Sequence, residues 1–313
     1  MGPARSSPRG EQAHSRLGRA RTALLRSPSM MRRSFSFLWD RFEITRPHNL
    51  AVAALTIVAG WAAAGGGSPS VALVCAVVAG TLVAAAGNVV NDYFDADIDR
   101  INKPRRPIPS GRISPAESRL YYLGLSMLAL AAGGLGGRAL LAVVALWTAA
   151  LYWYSAALKV RCLLGNLTVS LVSSSGFVVG AWVGGNAAAG ILPSSLAFLL
   201  LMGREIVKDV EDLRGDGAHG ATTLARRLGA RRALGVALGF FALFALLGPS
   251  PYWMQLVGRG YLWTYLFGVV PLLLMASWLM LRDASPGNLV RVSWLLKIVM
   301  FVGVLGFYFG QTS

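Results

Sequence analysis

Nine stretches of this chain stay apolar for about the thickness of a bilayer, and no other feature constrains its folding as strongly. They run over residues 49–66, 71–91, 118–136, 138–157, 164–185, 193–209, 233–248, 261–281 and 292–310. Crossing a hydrocarbon core of roughly 30 Å takes about 20 helical residues. Runs this continuous, without the alternation of a barrel strand, satisfy their backbone groups only as helices. With 55% hydrophobic and 14% charged residues, the chain also lacks the polar surface of a soluble globule. The expectation is an all-α integral membrane protein of nine transmembrane helices, the seventh being the shortest.

Charge sets the orientation. All but three of the 30 Lys and Arg precede the first run or fall in the 92–119, 158–163, 204–232 and 282–291 connections, which alternate onto one side. Arg138 and Arg259 lie on the other side and Lys297 inside the last run. The basic side is then cytoplasmic and the C-terminus external. The net charge of +16 reads as topology signal and attraction to anionic headgroups, not as a nucleic-acid surface. Cys75 and Cys162 support neither a disulfide framework nor a zinc site. Residues 1–35 are rich in Arg and Ser, with Glu11 the single acid. They fit a basic tail against lipid or an organellar leader, and Met30 or Met31 could be the start. Residues 36–313 form the membrane-embedded domain. The expected location is a prokaryotic cell membrane, multi-pass, with an organellar membrane as the alternative.

Nine of the fourteen acids fall in two clusters: Asp92, Asp95, Asp97 and Asp99, then Glu205, Asp209, Glu211, Asp212 and Asp216. Each follows an apolar run, the second and the sixth. That four-helix offset suggests two pseudo-repeated four-helix units plus one helix. If the helix continues past Asn91, then Asn91, Asp95 and Asp99 form one stripe with about 6 Å between neighbours. Glu205, Asp209, Asp212 and Asp216, at i, i+4, i+7 and i+11, form another. Like charges so spaced repel one another, so a cation must hold them.

Local Lys and Arg could supply that cation, which would make each stripe a salt-bridged helix end. The sharper expectation is Mg²⁺, because carboxylates and an Asn carbonyl are the oxygen ligands a hard cation takes. Facing stripes would cradle a diphosphate bridged by metal. Asn91, Asp95, Asp99, Asp209, Asp212 and Asp216 are the candidate ligands. Arg46, Lys103, Arg105, Arg106 and Lys159 would contact the remaining phosphate oxygens. Asp92 reads as lying behind the ligands and Asp97 as solvated, since both leave the stripe. Pro104, Pro107 and Pro109 forbid a helix over 103–111 and Gly111 permits a turn, so an ordered cap loop is expected there. Ser114-Pro115-Ala116-Glu117 restarts the helix as a capping box.

These residues resemble the UbiA superfamily of intramembrane prenyltransferases. Asn91, Asp95 and Asp99 match its N-x-x-x-D-x-x-x-D pattern, and Arg106 to Gly111 match R-P-[IL]-x-S-G. Asp212 and Asp216, with Gly220 and Thr223-Leu224 beyond, match the second motif, and Arg46-Pro47 matches the start. The resemblance covers about residues 36–310. It implies a UbiA-type bundle and Mg²⁺-dependent transfer of a polyprenyl group from its diphosphate to a lipophilic acceptor, with Asp95, Asp99, Asp212 and Asp216 catalytic. One departure is that Tyr154 and Lys159 stand one residue further apart than the family's Y-x-x-x-K, although both remain candidates for substrate contact. Within the family, NDYFDADIDRINKPRRPIPSGRIS and GREIVKDVEDLRGDGAHGATTL are most similar to enzymes that add a second geranylgeranyl chain to geranylgeranylglyceryl phosphate. Arg204 and Lys208 are candidates for the acceptor's phosphate. Chlorophyll-synthase-like and aromatic-acceptor enzymes share the first motif.

Tyr93, Phe94, Tyr152, Trp153 and Tyr154 could face an allylic cation or form an interfacial belt. His219 reads as a loop histidine, His14 and His48 carry no pattern, and Lys297 snorkels or pairs internally. An ion-coupled transporter is the non-enzyme alternative, but it would place acids near the midplane.

Overall fold

The computed structural model describes the backbone of residues 28–213 and 222–310, and side chains from residue 36 onward within those ranges. The chain divides into two units, Met1–Glu43 and Ile44–Ser313. Helix α1 (Pro28–Thr45) supplies the described part of the first.

The second unit is helical, with one isolated bridge, Arg161 to Thr222, among the described residues. Its helices are α2 (Pro47–Ala63), α3 (Val71–Phe94), α4 (Ala96–Asn102), α5 (Pro115–Leu135), α6 (Arg138–Leu158), α7 (Leu164–Val183), α8 (Ala187–Glu211), α9 (Leu224–Leu228), α10 (Ala230–Trp253), α11 (Arg259–Arg282) and α12 (Pro286–Phe309). Seven of them, α3, α6, α7, α8, α10, α11 and α12, are long and apolar enough to cross a membrane. The other two predicted spans fall on α2, with 17 residues, and α5, with 21. The outward faces suit lipid: Leu120, Leu123, Met127, Leu246, Phe267 and Trp278 are all exposed, an amount of apolar surface that water would not tolerate. The chain is a multi-pass integral membrane protein.

Two cores organise the bundle. Ile57, Ala76, Ala79, Ala129, Val144 and Trp147 join α2, α3, α5 and α6. Leu200, Ile206, Phe241, Leu273, Leu296 and Val299 join α8, α10, α11 and α12. The seam between them is glycine-lined. A Cβ on Gly180 of α7 would lie 1.8 Å from the carbonyl oxygen of Ile57, and one on Gly60 of α2 would lie 2.1 Å from that of Phe177. Backbone meets backbone there, which only small residues allow.

Local signals behave as their chemistry requires. Ser114 Oγ accepts from Glu117 N at 3.2 Å while Glu117 Oε2 accepts from Ser114 N at 2.8 Å, the expected capping box. Gly111 takes φ +77° at the end of the proline loop. That loop is anchored, because Ile108 and Ile113 bury against Val89 and Ala85 of α3.

Candidate functional site

The first acid stripe forms across a break. α3 ends at Phe94 and α4 starts at Ala96, with Asp95 capping both. Even so, Asp95 N donates to Asn91 O at 2.9 Å, Asp99 N to Asp95 O at 2.7 Å and Lys103 N to Asp99 O at 2.8 Å. The four-residue register therefore survives, stacking Asn91, Asp95, Asp99 and Lys103 at about 6 Å intervals. The first three side chains are buried. Asn91 Nδ2 donates to Asp95 Oδ2 at 2.7 Å.

Each acid of the stripe already has a cation. Lys159 pairs with Asp95. Arg106 reaches Asp99 at 2.5 Å and Asp92 at 3.2 Å, and Arg46 also pairs with Asp92. Asp92 is thus more central than its off-stripe position suggests: it orients two arginines. Asp97 is exposed and pairs with Arg100, as expected for a solvated acid. Burial holds the Asp99 carboxyl above the ordinary carboxylate range, with Asp92 and Asp95 adding to the effect and Arg106 opposing it.

The second row lies on the last turns of α8. Glu205 is buried beneath Arg204 (2.5 Å) and Lys208 (3.6 Å). Asp209 accepts from Asn166 Nδ2 at 2.9 Å, and Glu211 accepts from Ser293 Oγ at 2.9 Å. Lys103, from the first motif, reaches across to Asp212 at 2.6 and 2.9 Å and to Glu211 at 3.4 Å. Asn102 Nδ2 adds a bond to Asp212 O at 3.1 Å. The two motifs, 109 residues apart at Lys103 and Asp212, therefore meet. Burial would raise the Asp212 carboxyl, but Lys103 and Lys208 hold it below the usual range. Asp216, with His219 and Gly220, lies outside the described residues.

The long spacing of Tyr154 and Lys159 has a structural cause. Residues Tyr154–Leu158 form a π turn, and Lys159 N donates to Tyr154 O at 2.9 Å. A π turn closes at i+5 where an α turn closes at i+4. The extra residue is absorbed in the backbone, and Tyr154 and Lys159 stay on one face.

Behind the acids is a cavity of about 520 Å³, lined mainly by apolar residues of α2, α3, α7, α8, α11 and α12. Its polar wall carries Arg46, Asn91, Tyr154, Arg204, Glu205 and Lys208, and also His48 and Lys297. Of the five aromatic candidates, Tyr154 alone lines it. Phe94, Tyr152 and Trp153 are exposed and pack on one another, which favours the belt reading for them. Arg105 is exposed and, like Lys103, Arg106 and Lys159, does not line the apolar cavity. Sequence reasoning put Asp92 behind the ligands without naming the two arginines it meets, and it passed over the His48–Lys297 contact. The charge inside the last span was the available signal for the latter.

The donor set fits a hard cation. Asp95, Asp99, Asp209 and Asp212 offer carboxylate oxygens and Asn91 an amide oxygen, with Asn91 on the cavity wall. No three His, Cys, Asp or Glu among the described residues converge on a single point. The rows are instead interleaved with Lys103, Arg106 and Lys159. They would share a cation only together with other oxygens, such as those of a substrate.

Comparison with known proteins finds relatives along most of the chain. The sequence profile of the UbiA prenyltransferase family matches residues 52–305. A digeranylgeranylglyceryl phosphate synthase of Methanopyrus kandleri is 40% identical over 268 residues, covering 85% of this chain and 96% of the relative. A solved structure, described as structural and mechanistic insights into the biosynthesis of digeranylgeranylglyceryl phosphate synthase in membranes, superposes with TM-score 0.67 at 30% identity, covering 88% of this chain and 98% of the other. A UbiA homolog from Archaeoglobus fulgidus bound to GPP and Mg²⁺ shares the fold, with TM-score 0.61 at 18% identity over 86% of this chain and 99% of that one.

Proposed function

The chain belongs to the UbiA prenyltransferase family, and from that premise we propose that it transfers a geranylgeranyl group from its diphosphate to geranylgeranylglyceryl phosphate. The observation that carries this reading is the Lys103–Asp212 contact, which brings together two acid motifs whose members Asn91, Glu205 and Lys208 line an apolar cavity. The similarity to digeranylgeranylglyceryl phosphate synthases over most of both chains supports the choice of acceptor.

In the proposed reaction the bond between the allylic carbon and diphosphate oxygen breaks, a bond from that carbon to the acceptor hydroxyl oxygen forms, and the hydroxyl proton is released. Asn91, Asp95 and Asp99 on one side and Asp209, Asp212 and Asp216 on the other would hold Mg²⁺, which when bound neutralises charge on the departing diphosphate. Lys103, Arg106 and Lys159, now paired with the acids, would turn to phosphate oxygens. Asp92 would orient Arg46 and Arg106 for that task. The apolar cavity would hold the prenyl chain and exclude water from the allylic cation, with the Tyr154 ring facing it.

Nine membrane helices, with α2 and α5 added to the seven long ones, a four-helix duplication, and an acid end facing the cytoplasm complete the proposal. The basic connections support that orientation. The test is to incubate purified protein with geranylgeranyl, farnesyl and longer diphosphates, with and without Mg²⁺, against glyceryl-phosphate, chlorin and hydroxybenzoate acceptors, and to identify products by mass. A Mg²⁺-dependent product from geranylgeranyl diphosphate and the glyceryl phosphate is expected, and Asp95→Ala and Asp212→Ala should abolish it. Absence of product with every pair, with diphosphate binding unchanged in both variants, overturns the reading.

A further inference from the structure

The same cavity holds a second polar group that the diphosphate chemistry does not use. Lys297 lies inside α12, one turn or about 6 Å beyond Ser293, the residue that meets Glu211. Its ammonium is 3.0 Å from His48 Nε2 and 4.1 Å from the centre of the Trp294 ring, and it enters no ion pair among the described residues. An ammonium only donates, so Nε2 accepts and the ring proton of His48 sits on Nδ1. Arg204, Arg46 and Lys208 are within electrostatic reach of Lys297. Arg204 gives one nitrogen to Glu205, while its buried Nε has no hydrogen-bond partner.

Charge counting makes this arrangement specific. Glu205 is the one acid on the cavity wall among the described residues. Arg46 is matched by Asp92, which leaves Arg204, Lys208 and Lys297 against Glu205. On the wall itself these basic groups outnumber the acid three to one, in a largely apolar chamber where uncompensated charge is strongly unfavourable. A phosphate monoester carries about −1.5 to −2 at neutral pH and three acceptor oxygens, which suits such a wall. Beyond the wall, Glu211 and Asp212 are within electrostatic reach of Lys297 and Lys208. What calls for a further anion is a pair of donors: among the described residues, the buried Arg204 Nε has no hydrogen-bond partner and the Lys297 ammonium enters no ion pair.

We propose that Lys297, Arg204 and His48 form a separate pocket for the phosphate of the acceptor lipid. The inference rests on the prenyl-transfer reading and names the residues by which that site recognises its acceptor. A glycerol backbone keeps its free hydroxyl within a few bonds of the phosphate, so anchoring the phosphate about one turn from the Glu211 level leaves the hydroxyl beside the acid rows. Half-exposed Trp294 and Ile298 on the same helix offer apolar surface to the acceptor's chain. An uncharged aromatic acceptor would leave the Arg204 Nε and the Lys297 ammonium unanswered, so the pocket also selects by charge.

The test measures KM for the glyceryl-phosphate acceptor and for geranylgeranyl diphosphate separately, in wild type, Lys297→Met and Lys297→Arg. Removing a charged hydrogen-bond donor should raise the acceptor KM about tenfold or more. The diphosphate KM and Mg²⁺ dependence should stay as in wild type, and the Arg variant should recover most of the loss. Titrating acceptor alone while following tryptophan fluorescence gives a readout independent of turnover, and the response should weaken in Lys297→Met. If that variant does not fold, Arg204→Lys and His48→Gln must raise the acceptor KM instead. An unchanged acceptor KM, or an equal rise in the diphosphate KM, overturns the pocket. A wild type inactive with every substrate pair would instead overturn the transfer reading beneath it.

Discussion

Substituting Gly180 by Ala tests the packing that holds the cavity together. The added methyl would sit 1.8 Å from the Ile57 carbonyl oxygen and 2.9 Å from Trp61 N, both backbone atoms of α2. Neither can rotate away as a flexible side chain could. Restoring an ordinary contact of about 3.4 Å means parting α2 and α7 by roughly 1.5 Å, which also loosens the Gly60–Phe177 contact a turn away. Overpacking of this kind costs about 1–3 kcal/mol, while the helix gains up to about 1 kcal/mol from losing a glycine. Gly124→Ala in α5 is the matched control, because nothing lies within 4 Å of its added methyl. Thermal unfolding in one detergent, followed by tryptophan fluorescence, should show a Tm several degrees lower for Gly180→Ala and one unchanged or raised for Gly124→Ala. Since α2 carries His48 and Asn49, Gly180→Ala should also lose transfer activity well below its Tm. Equal Tm shifts for the two variants would refute the reasoning, because the chemistry is the same and only the neighbours differ.

Other outcomes follow from the paired acids. Asp95→Asn and Asp212→Asn should each lower kcat at least about a hundredfold, whereas Asp97→Asn, at an exposed site, should leave it unchanged; product mass assays decide. Asp99, raised above the usual range by burial and by Asp92 and Asp95, binds its proton more tightly folded than unfolded, so its ionisation costs stability as pH rises through that range. Asp99→Asn should therefore raise Tm at neutral pH in Mg²⁺-free buffer while abolishing transfer. Asp212 has the opposite sign: held low chiefly by Lys103 against burial, it stabilises above the ordinary carboxylate range and loses this as pH falls through its depressed value. Lys103→Met should weaken that acid-side loss in Tm-versus-pH curves, and an unaltered curve would contradict the Lys103–Asp212 tie.

Much of the site was legible because it depends on local geometry. Helical rise alone put Asn91, Asp95 and Asp99 on one stripe, and Ser114 and Glu117 form their capping box from neighbouring residues. The stripe even crosses the break at Asp95, since the hydrogen bonds keep their four-residue step. Asp92 could be read as lying behind the ligands, but its partners Arg46 and Arg106 could not be named, because they come from other parts of the chain. The Tyr154–Lys159 spacing resisted interpretation because a π turn leaves no signature in residue type.

The sequence by itself determined that the chain enters a membrane as helices, that its acids cluster at helix ends, and which oxygen donors each stripe offers. These follow from apolar run length, charge placement and the fixed pitch of a helix. Only the tertiary structure decided which cation answers which acid, that Lys103 ties one motif to the other, and that Lys297 meets His48 inside the cavity. Those pairings depend on how closely α2, α7, α8 and α12 approach one another. Between α2 and α7 and between α7 and α8 that approach is set by glycine-to-backbone contacts, and no local periodicity encodes it.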